Sequence, residues 1–232
     1  MRRLALALAL GWSALAHGEP AIGSIKGTVL FEGEPPEQPK QKRDADPKCS
    51  QDRAEEAIVV HRGKLRDVVV RIANGSTGLH AAPSEPVVID QRDCMYVPRV
   101  VGIVAGQHVV VRNSDNTFHD VWGELDGKTL WNKPQGPKAR DLELDPAAHA
   151  DDVVELKCGA HPWMHAYIAV QDSPFFAVTG DDGAFEIKGV PEGTYTLEAW
   201  HPVLGTRSLR VVIGRGKRAD ITARFSYKAR DM

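Results

Sequence analysis

The sequence predicts an all-β protein built from more than one sandwich. Turn-forming residues are plentiful, with 21 Gly and 15 Pro among 232 residues. Between them lie short runs of β-branched or alternating apolar residues, and beyond the first residues no amphipathic helical period is evident. Many short strands separated by such turns are typical of β-sandwiches. The length is enough for one large or two small domains.

The N-terminus predicts a signal peptide covering residues 1–16. Two arginines precede a short apolar stretch that ends in Ala14-Leu15-Ala16, a small-x-small cleavage site. The alternative, a retained membrane anchor, is disfavoured because a spanning helix needs about 20 apolar residues. We therefore expect a periplasmic or secreted protein with no membrane insertion after cleavage.

Hydrophobic patterning then places the strands along the chain. They are predicted at 23–31, 57–61, 67–73, 87–91, 100–104, 107–113, 152–158, 166–171, 176–179, 184–187, 194–200, 208–213 and 220–225. Segments 32–48 and 124–150 are rich in Pro and charge and predict loops. Ala105-Gly106 predicts a hairpin-like turn, and residues 74–86 are a candidate domain boundary.

Three cysteines constrain the chemistry, namely Cys49, Cys94 and Cys158. In an exported protein an odd count means that one thiol has another use. If Cys158 binds a metal, Cys49 and Cys94 remain for one disulfide.

A possible metal loop follows the strand at 152–158. Cys158, His161 and Met164 supply a thiol, an imidazole and a thioether at offsets 0, +3 and +6. His119, upstream in a stretch of turn-forming Asn, Ser, Asp and Thr, offers a second imidazole. A thiolate, two imidazoles and a weak thioether are the ligands of a blue-copper centre, so copper is the expected cofactor. The alternatives are a zinc site, which rarely takes Met, and a buried, inert thiol.

These residues resemble the amicyanin/plastocyanin branch of the cupredoxins. The matching motifs are Cys-x-x-His-Pro-x-Met at 158–164 and Asn-x-Asp-x-x-x-His at 113–119. The resemblance covers about residues 86–171 and implies a Greek-key β-sandwich with copper at one end. Its implied ligands are His119, Cys158, His161 and Met164.

Two positions depart from that family. Asp120 stands where the family usually has an Asn that helps to tie the ligand loops together, and a carboxylate there could lower the potential. Met164 is followed by His165, an alternative axial ligand because imidazole binds copper more strongly than thioether. Trp163 is expected to pack at the rim.

The flanking segments resemble a carboxypeptidase regulatory-like, transthyretin-type β-sandwich, which is expected to be the smaller one. The matching residues are Gly27-Thr28-Val29 and Gly33-Glu34-Pro35 upstream, then Asp182-Gly183-Ala184-Phe185 and the run 190–197. We expect residues 22–85 and 172–228 to form one discontinuous domain with the cupredoxin, residues 86–171, inserted between them. The rival is a small N-terminal piece of the cupredoxin plus an independent C-terminal sandwich.

The combination also resembles methylamine-utilisation-like secreted bacterial proteins. In that group Asp-Pro-x-Cys and Gln-x-x-Cys-x-Tyr-x-Pro segments recur, here at 46–49 and 91–98, as does Trp200-His201. We interpret Trp200-His201 as a structural pair at a strand end, the alternative being a second metal or partner site.

The expected function is that of a periplasmic one-electron carrier with an unidentified redox partner protein. A formal net charge of −2 indicates no nucleic-acid partner. No nucleophile elbow, phosphate loop or paired-carboxylate motif points to an enzyme. The alternatives are a copper-binding or copper-delivery protein without redox turnover, and a structural module with a vestigial metal site.

Overall fold

The computed structural model describes residues 22–44, 46–49, 52–73, 80–146, 148–214 and 221–229. The predicted signal peptide, residues 1–16, lies outside this part of the chain. Regular structure within it is almost entirely β-strand, apart from a 3₁₀ turn at Pro47–Cys49. The all-β prediction is therefore confirmed. No helix among the described residues is long and apolar enough to cross a membrane.

Twenty strands are described, and they fall into three stretches of the chain. The first stretch contains β1 (Ile22–Glu32), β2 (Lys40–Gln41), β3 (Arg53–Ala54), β4 (Val60–His61), β5 (Lys64–Leu65) and β6 (Val69–Ile72). The second contains β7 (Val87–Arg92), β8 (Met95–Val97), β9 (Val100–Val104), β10 (Val109–Asn113), β11 (His119–Leu125), β12 (Lys128–Gln135), β13 (Leu142–Leu144), β14 (Val153–Cys158) and β15 (His165–Gln171). The third contains β16 (Phe176–Val178), β17 (Ala184–Pro191), β18 (Gly193–His201), β19 (Gly205–Ile213) and β20 (Ile221–Lys228).

Strands from the first and third stretches share two sheets. One has the order β17-β1-β5-β4, with β20 parallel to β1, and the other has the order β16-β6-β18-β19. Alternate residues of both sheets face one core because successive side chains of a strand point to opposite faces. That core includes Ile25, Val29, Leu65, Leu197 and Phe225. Its kinship to transthyretin-type domains, and the domain boundaries given above, stay predictions.

Strands from the middle stretch form the second sandwich. Its sheets have the orders β13-β10-β7-β8 and β12-β11-β14-β15-β9, with β7 parallel to β10 and β9 parallel to β15. Both sheets contribute to one buried core, for example Ile89 and Val111 from one sheet and Leu156 and Ile168 from the other. β11 and β14 are central neighbours in the second sheet, and their ends carry the predicted ligands.

The two sandwiches meet at a small apolar contact. Val69, Val100 and Ala169 are buried there, and the rings of Tyr167 and Trp200 pack edge to face beside them. Trp200 thus has a packing role, in line with its interpretation as a structural residue.

The same strand end buries His201, whose Nδ1 accepts hydrogen bonds from the backbone N–H groups of Val203 (3.1 Å) and Leu204 (3.3 Å). None of the candidate metal groups found among the described residues includes His201.

Three predictions for the second sandwich are wrong in detail. The runs on either side of Ala105-Gly106 do not pair as a hairpin, because β9 joins β15 in one sheet while β10 joins β7 in the other. The segment 124–150 is not a loop throughout, since it contains β12 and β13. β12 is an exposed edge strand, so its polar side chains show no apolar alternation. His119 lies at the start of β11 rather than in a turn.

Candidate metal centre

Cys158 ends β14 with its side chain in the core. Val154, Leu156 and Cys158 are the buried positions of this strand, as its alternation predicts. Cys158 lies opposite Val121 of β11 in the antiparallel pairing. His119 is two residues before Val121, so strand alternation places its side chain on the same face, where it is fully buried. The register of two neighbouring strands therefore brings the thiol and the first imidazole together.

The loop after Cys158 places the second imidazole. The backbone N–H of His161 donates to the carbonyl of Cys158 at 3.3 Å, and that of Met164 donates to the carbonyl of His161 at 2.9 Å. These two successive turns bring His161 beside Cys158 and return Met164 to the core, where its side chain is fully buried. The loop of the motif is therefore short and internally hydrogen-bonded.

Three donor atoms converge on one point. Sγ of Cys158 lies 3.7 Å from Nδ1 of His119 and 3.5 Å from Nδ1 of His161, and the two Nδ1 atoms are 3.1 Å apart. Bonds of about 2.0 Å to nitrogen and 2.3 Å to sulfur separate trigonal ligands by about 3.5–3.8 Å. The arrangement is thus close to the size that a metal ion requires, and the donor set fits copper.

The thiol and the imidazoles change one another's proton affinity. Burial acts to raise the pKa of Cys158, but hydrogen bonds with His119 and His161 outweigh it and lower the pKa to about 6. Burial acts to lower the pKa of His119, yet Asp115 and the Cys158 sulfur raise it to about 9. The pKa of His161 is likewise raised, against burial, by Cys158 and Asp46. The thiolate that a metal needs is therefore stabilised, and metal binding there would release protons from the imidazoles.

Each imidazole also has a carboxylate partner on its far side. Nε2 of His119 lies 3.0 Å from Oδ2 of Asp115, and Nε2 of His161 lies 3.0 Å from Oδ2 of Asp46. A carboxylate at Nε2 holds the proton on that nitrogen and leaves Nδ1 free to bind a metal. When the imidazoles give up a proton to bind a metal, the carboxylates keep the remaining proton on Nε2, and both Nδ1 atoms face the same point.

Both carboxylates are themselves held in place. A hydrogen bond from Thr117 is the main cause that lowers the pKa of Asp46 to about 2. Burial acts to raise the pKa of Asp115, but His119 and the backbone N–H groups of Cys94 and Asp93 lower it overall. Both groups are thus anionic and act as acceptors near neutral pH.

Sequence reasoning gave neither carboxylate a role. Asp115 falls within the motif at 113–119, and Asp46 within the Asp-Pro-x-Cys segment, but neither pattern indicates which side chain the carboxylate contacts. Asn113 orders the first of these segments, since its amide donates to the carbonyls of Thr117 and Gly136 and its oxygen accepts from the N–H of Asp115.

The other two cysteines lie beside this point. Cys49 and Cys94 form a disulfide, and Sγ of Cys49 is 3.5 Å from Nε2 of His161. Cys158 is the free thiol of the described residues. All three groups of side chains that could hold an ion, among the residues described, include a member of this cluster.

The two departures from the family pattern have distinct surroundings. The backbone N–H of Asp120 donates to Sγ of Cys158 at 3.4 Å, and its carbonyl accepts from Gly159 at 3.2 Å. The main chain of Asp120 therefore ties the two ligand segments together. His165 points away from the cluster, because its Nδ1 lies 3.0 Å from Glu155 and its Nε2 2.9 Å from the carbonyl of Pro162.

Trp163 packs at the rim of the cluster. It is half-buried, its ring centroid is 5.2 Å from that of His161, and its Nε1–H donates to the carbonyl of Cys94 at 3.0 Å.

Comparison with known proteins gives matches to solved structures alone. No family model matches the chain, and no curated protein matches it. A purple cupredoxin from Nitrosopumilus maritimus is similar over 37% of this chain and 99% of its own, with 22% identity and a TM-score of 0.32. An amicyanin from Paracoccus versutus is similar over 44% of this chain and 97% of its own, with 16% identity and a TM-score of 0.33.

A copper-containing nitrite reductase from Thermus scotoductus is similar over 44% of this chain, with 18% identity and a TM-score of 0.32. That match spans 25% of the reductase, which is a much longer protein. Identity and TM-scores are low in all three matches.

Proposed function

We propose that the protein is a copper-binding electron carrier of the cupredoxin type, with His119, Cys158 and His161 as its strong ligands. The observation that supports this is the convergence of Sγ of Cys158 with both Nδ1 atoms in a buried cluster. A thiolate with two imidazoles suits copper in both oxidation states. When bound, copper would supply one-electron storage.

Met164 is the proposed axial ligand, with His165 as the alternative. Met164 is fully buried in the same core cluster as Cys158. Each ring nitrogen of His165 lies within 3.0 Å of an oxygen acceptor outside the cluster. Ligation by His165 would require its ring to leave the contacts with Glu155 and Pro162, so the surroundings favour Met164.

The remaining side chains act by holding the ligands rather than by reacting. Asp46 and Asp115 orient the imidazoles, and the main chain of Asp120 donates to the sulfur. This division of roles is that of a carrier, which needs ligands that keep their positions between oxidation states. We propose that it works in the periplasm or outside the cell, with a redox protein as partner and without catalysis of its own.

Copper loading of the metal-free protein tests the proposal. We expect an intense visible thiolate-to-copper absorption band in the wild type and its loss in Cys158→Ser. Thr129→Ser, which removes a methyl group from the exposed strand β12, serves as the control and should keep the band. Absence of the band from copper-loaded wild type would refute the blue-copper assignment.

Voltammetry of the loaded protein separates the carrier from a copper-delivery protein. A fast and reversible one-electron couple is expected for the carrier. Slow electron exchange combined with ready loss of copper to a chelator would favour delivery instead.

A further inference from the structure

The edge of His161 that faces away from Cys158 is covered by a segment from far upstream. This segment, called the strap, consists of Arg43 and Asp46–Cys49 and lies in the connection between β2 and β3. Asp46 contacts Nε2 of His161 at 3.0 Å and Cys49 Sγ lies 3.5 Å from the same atom. The His161 side chain is only 3% exposed to solvent. The strap therefore covers the Nε2 edge of His161.

The strap is fixed at both of its ends. The guanidinium of Arg43 donates to the carbonyl of Asp93 at 3.0 Å and to Sδ of Met95 at 2.7 Å, and it stacks 5.3 Å from the ring centroid of Trp163. At the other end the disulfide joins Cys49 to Cys94. Both cysteines are buried, which protects the bond from attack by thiols.

Within the strap, Asp46 is held in a single position. Its Oδ1 accepts from the backbone N–H of Lys48 at 2.8 Å, an arrangement that stabilises the turn. Its Oδ2 accepts from the hydroxyl of Thr117 at 2.7 Å as well as from His161. The carboxylate is thus preorganised for the imidazole, and its position does not depend on a bound metal.

The β7–β8 turn, which contains Cys94, is also hydrogen-bonded to the ligand segments. The backbone N–H groups of Asp93 and Cys94 donate to Asp115, the partner of His119, at 2.7 and 2.9 Å. The carbonyl of Cys94 accepts from Trp163, in the ligand loop. The strap, the β7–β8 turn and both imidazoles therefore form one connected unit.

We propose that the strap is a fixed, disulfide-anchored cover that retains the metal, with Asp46 as a positioning residue for His161. The part concerning metal rests on the proposed function, whereas the cover exists in the protein without metal. An intact strap keeps chelators from the His161 edge and adds negative charge next to a ligand. Such charge stabilises the oxidised ion more than the reduced one.

Release of copper to a chelator, followed by absorption, tests retention. For Asp46→Ala we expect release to accelerate by about 10- to 100-fold, the usual effect of losing an outer-shell partner. Asp46→Asn keeps the shape without the charge, so we expect an intermediate rate and a higher reduction potential. Cys49→Ser combined with Cys94→Ser should also release copper faster. Asp44→Asn changes an exposed carboxylate next to the strap and should behave as wild type.

Release rates and potentials equal to those of Asp44→Asn would overturn the proposal.

A measurement on the metal-free protein distinguishes failure of the cover from failure of the proposed function. Diethyl pyrocarbonate should modify His161 slowly in the wild type and severalfold faster in Asp46→Ala, with exposed His149 reacting equally in both. If no copper binds, the proposed function fails, and a slow reaction of His161 still supports the cover. If His161 and His149 react equally fast in the wild type, the cover is refuted.

Discussion

Asp115 and His119 lie four residues apart and share a hydrogen bond of 3.0 Å between Oδ2 and Nε2. The same carboxylate accepts from the N–H groups of Asp93 and Cys94. One side chain thus orients a ligand and fixes the turn that carries the disulfide. Its position within the segment between β10 and β11 is set by Asn113, whose oxygen accepts from the N–H of Asp115.

Asp115→Asn should weaken metal binding. The amide can replace the shape of the carboxylate but not its charge, so the imidazole becomes a poorer donor. We expect the dissociation constant for copper to rise about tenfold or more, measured by competition with a chelator of known affinity. Asp126→Asn, in an exposed turn, is the matched control. Equal affinities for the two variants would show that the carboxylate has no influence on the ligand.

Substitutions at Met164 and His165 should separate the two axial candidates. In Met164→Leu we expect the visible band to persist with a changed spectrum and a higher potential, because the oxidised ion loses a weak donor. In His165→Gln we expect neither to change, because the His165 ring lies against Glu155 and the carbonyl of Pro162, outside the cluster. The reverse pattern, measured by absorption and voltammetry, would assign the axial position to His165.

Loss of the disulfide should destabilise the fold. It joins residues 45 apart, and closing a loop of that length restricts the unfolded chain by about 3–4 kcal/mol. Replacing Cys49 and Cys94 by Ala should lower the free energy of unfolding in urea by this order. Wild type unfolded and refolded under reductant provides the comparison and should match the double variant. A loss below about 1 kcal/mol would indicate that the unfolded chain is already constrained there.

His201 should make stability depend on pH. Burial lowers its pKa from 6.5 to about 3, so below pH 6.5 the unfolded chain binds a proton that the folded chain excludes. Stability is therefore lost as pH falls, by about 2 kcal/mol between roughly pH 6.5 and 4.5. Because other groups titrate too, the measurement is the difference between wild type and His201→Asn in urea unfolding at each pH.

Asn at this position can still accept from the turn of Val203 and Leu204, but it does not titrate. His149→Asn, at a histidine that is 94% exposed, is the control and should follow the wild type. A pH dependence shared by His201→Asn and the wild type would show that His201 is protonated in the folded protein.

The sequence predicts the strands and the ligand cluster better than it predicts the long-range contacts. Cys158, His161 and Met164 are close in sequence, and the pattern of β14 already points Cys158 inward. The pairing of β9 with β15 could not be read from Ala105-Gly106, because a turn looks alike whether its strands join one sheet or two. β12 was missed because an exposed edge strand has no apolar period.

The contact between Asp46 and His161 could not be predicted from the sequence. The Asp46 side chain reaches His161 across 115 residues, and the contact depends on the disulfide, on Thr117 and on Arg43 together. Local sequence contains turn propensity at Asp46-Pro47 but no information on which imidazole it will meet. The odd cysteine count, with Cys158 assigned to a metal, predicted a disulfide between Cys49 and Cys94, and the structure contains it.

The parallel pairing of β1 with β20 bears on the order of assembly. β1 lies before the strap, yet its long partners, β17 and β20, come from the end of the chain. In a chain that emerges N-terminus first, the three ligands are all present once β15 has appeared, before β1 can find these neighbours. The first sandwich can therefore be completed only after every strand of the second sandwich, with all of its proposed ligands, has been synthesised.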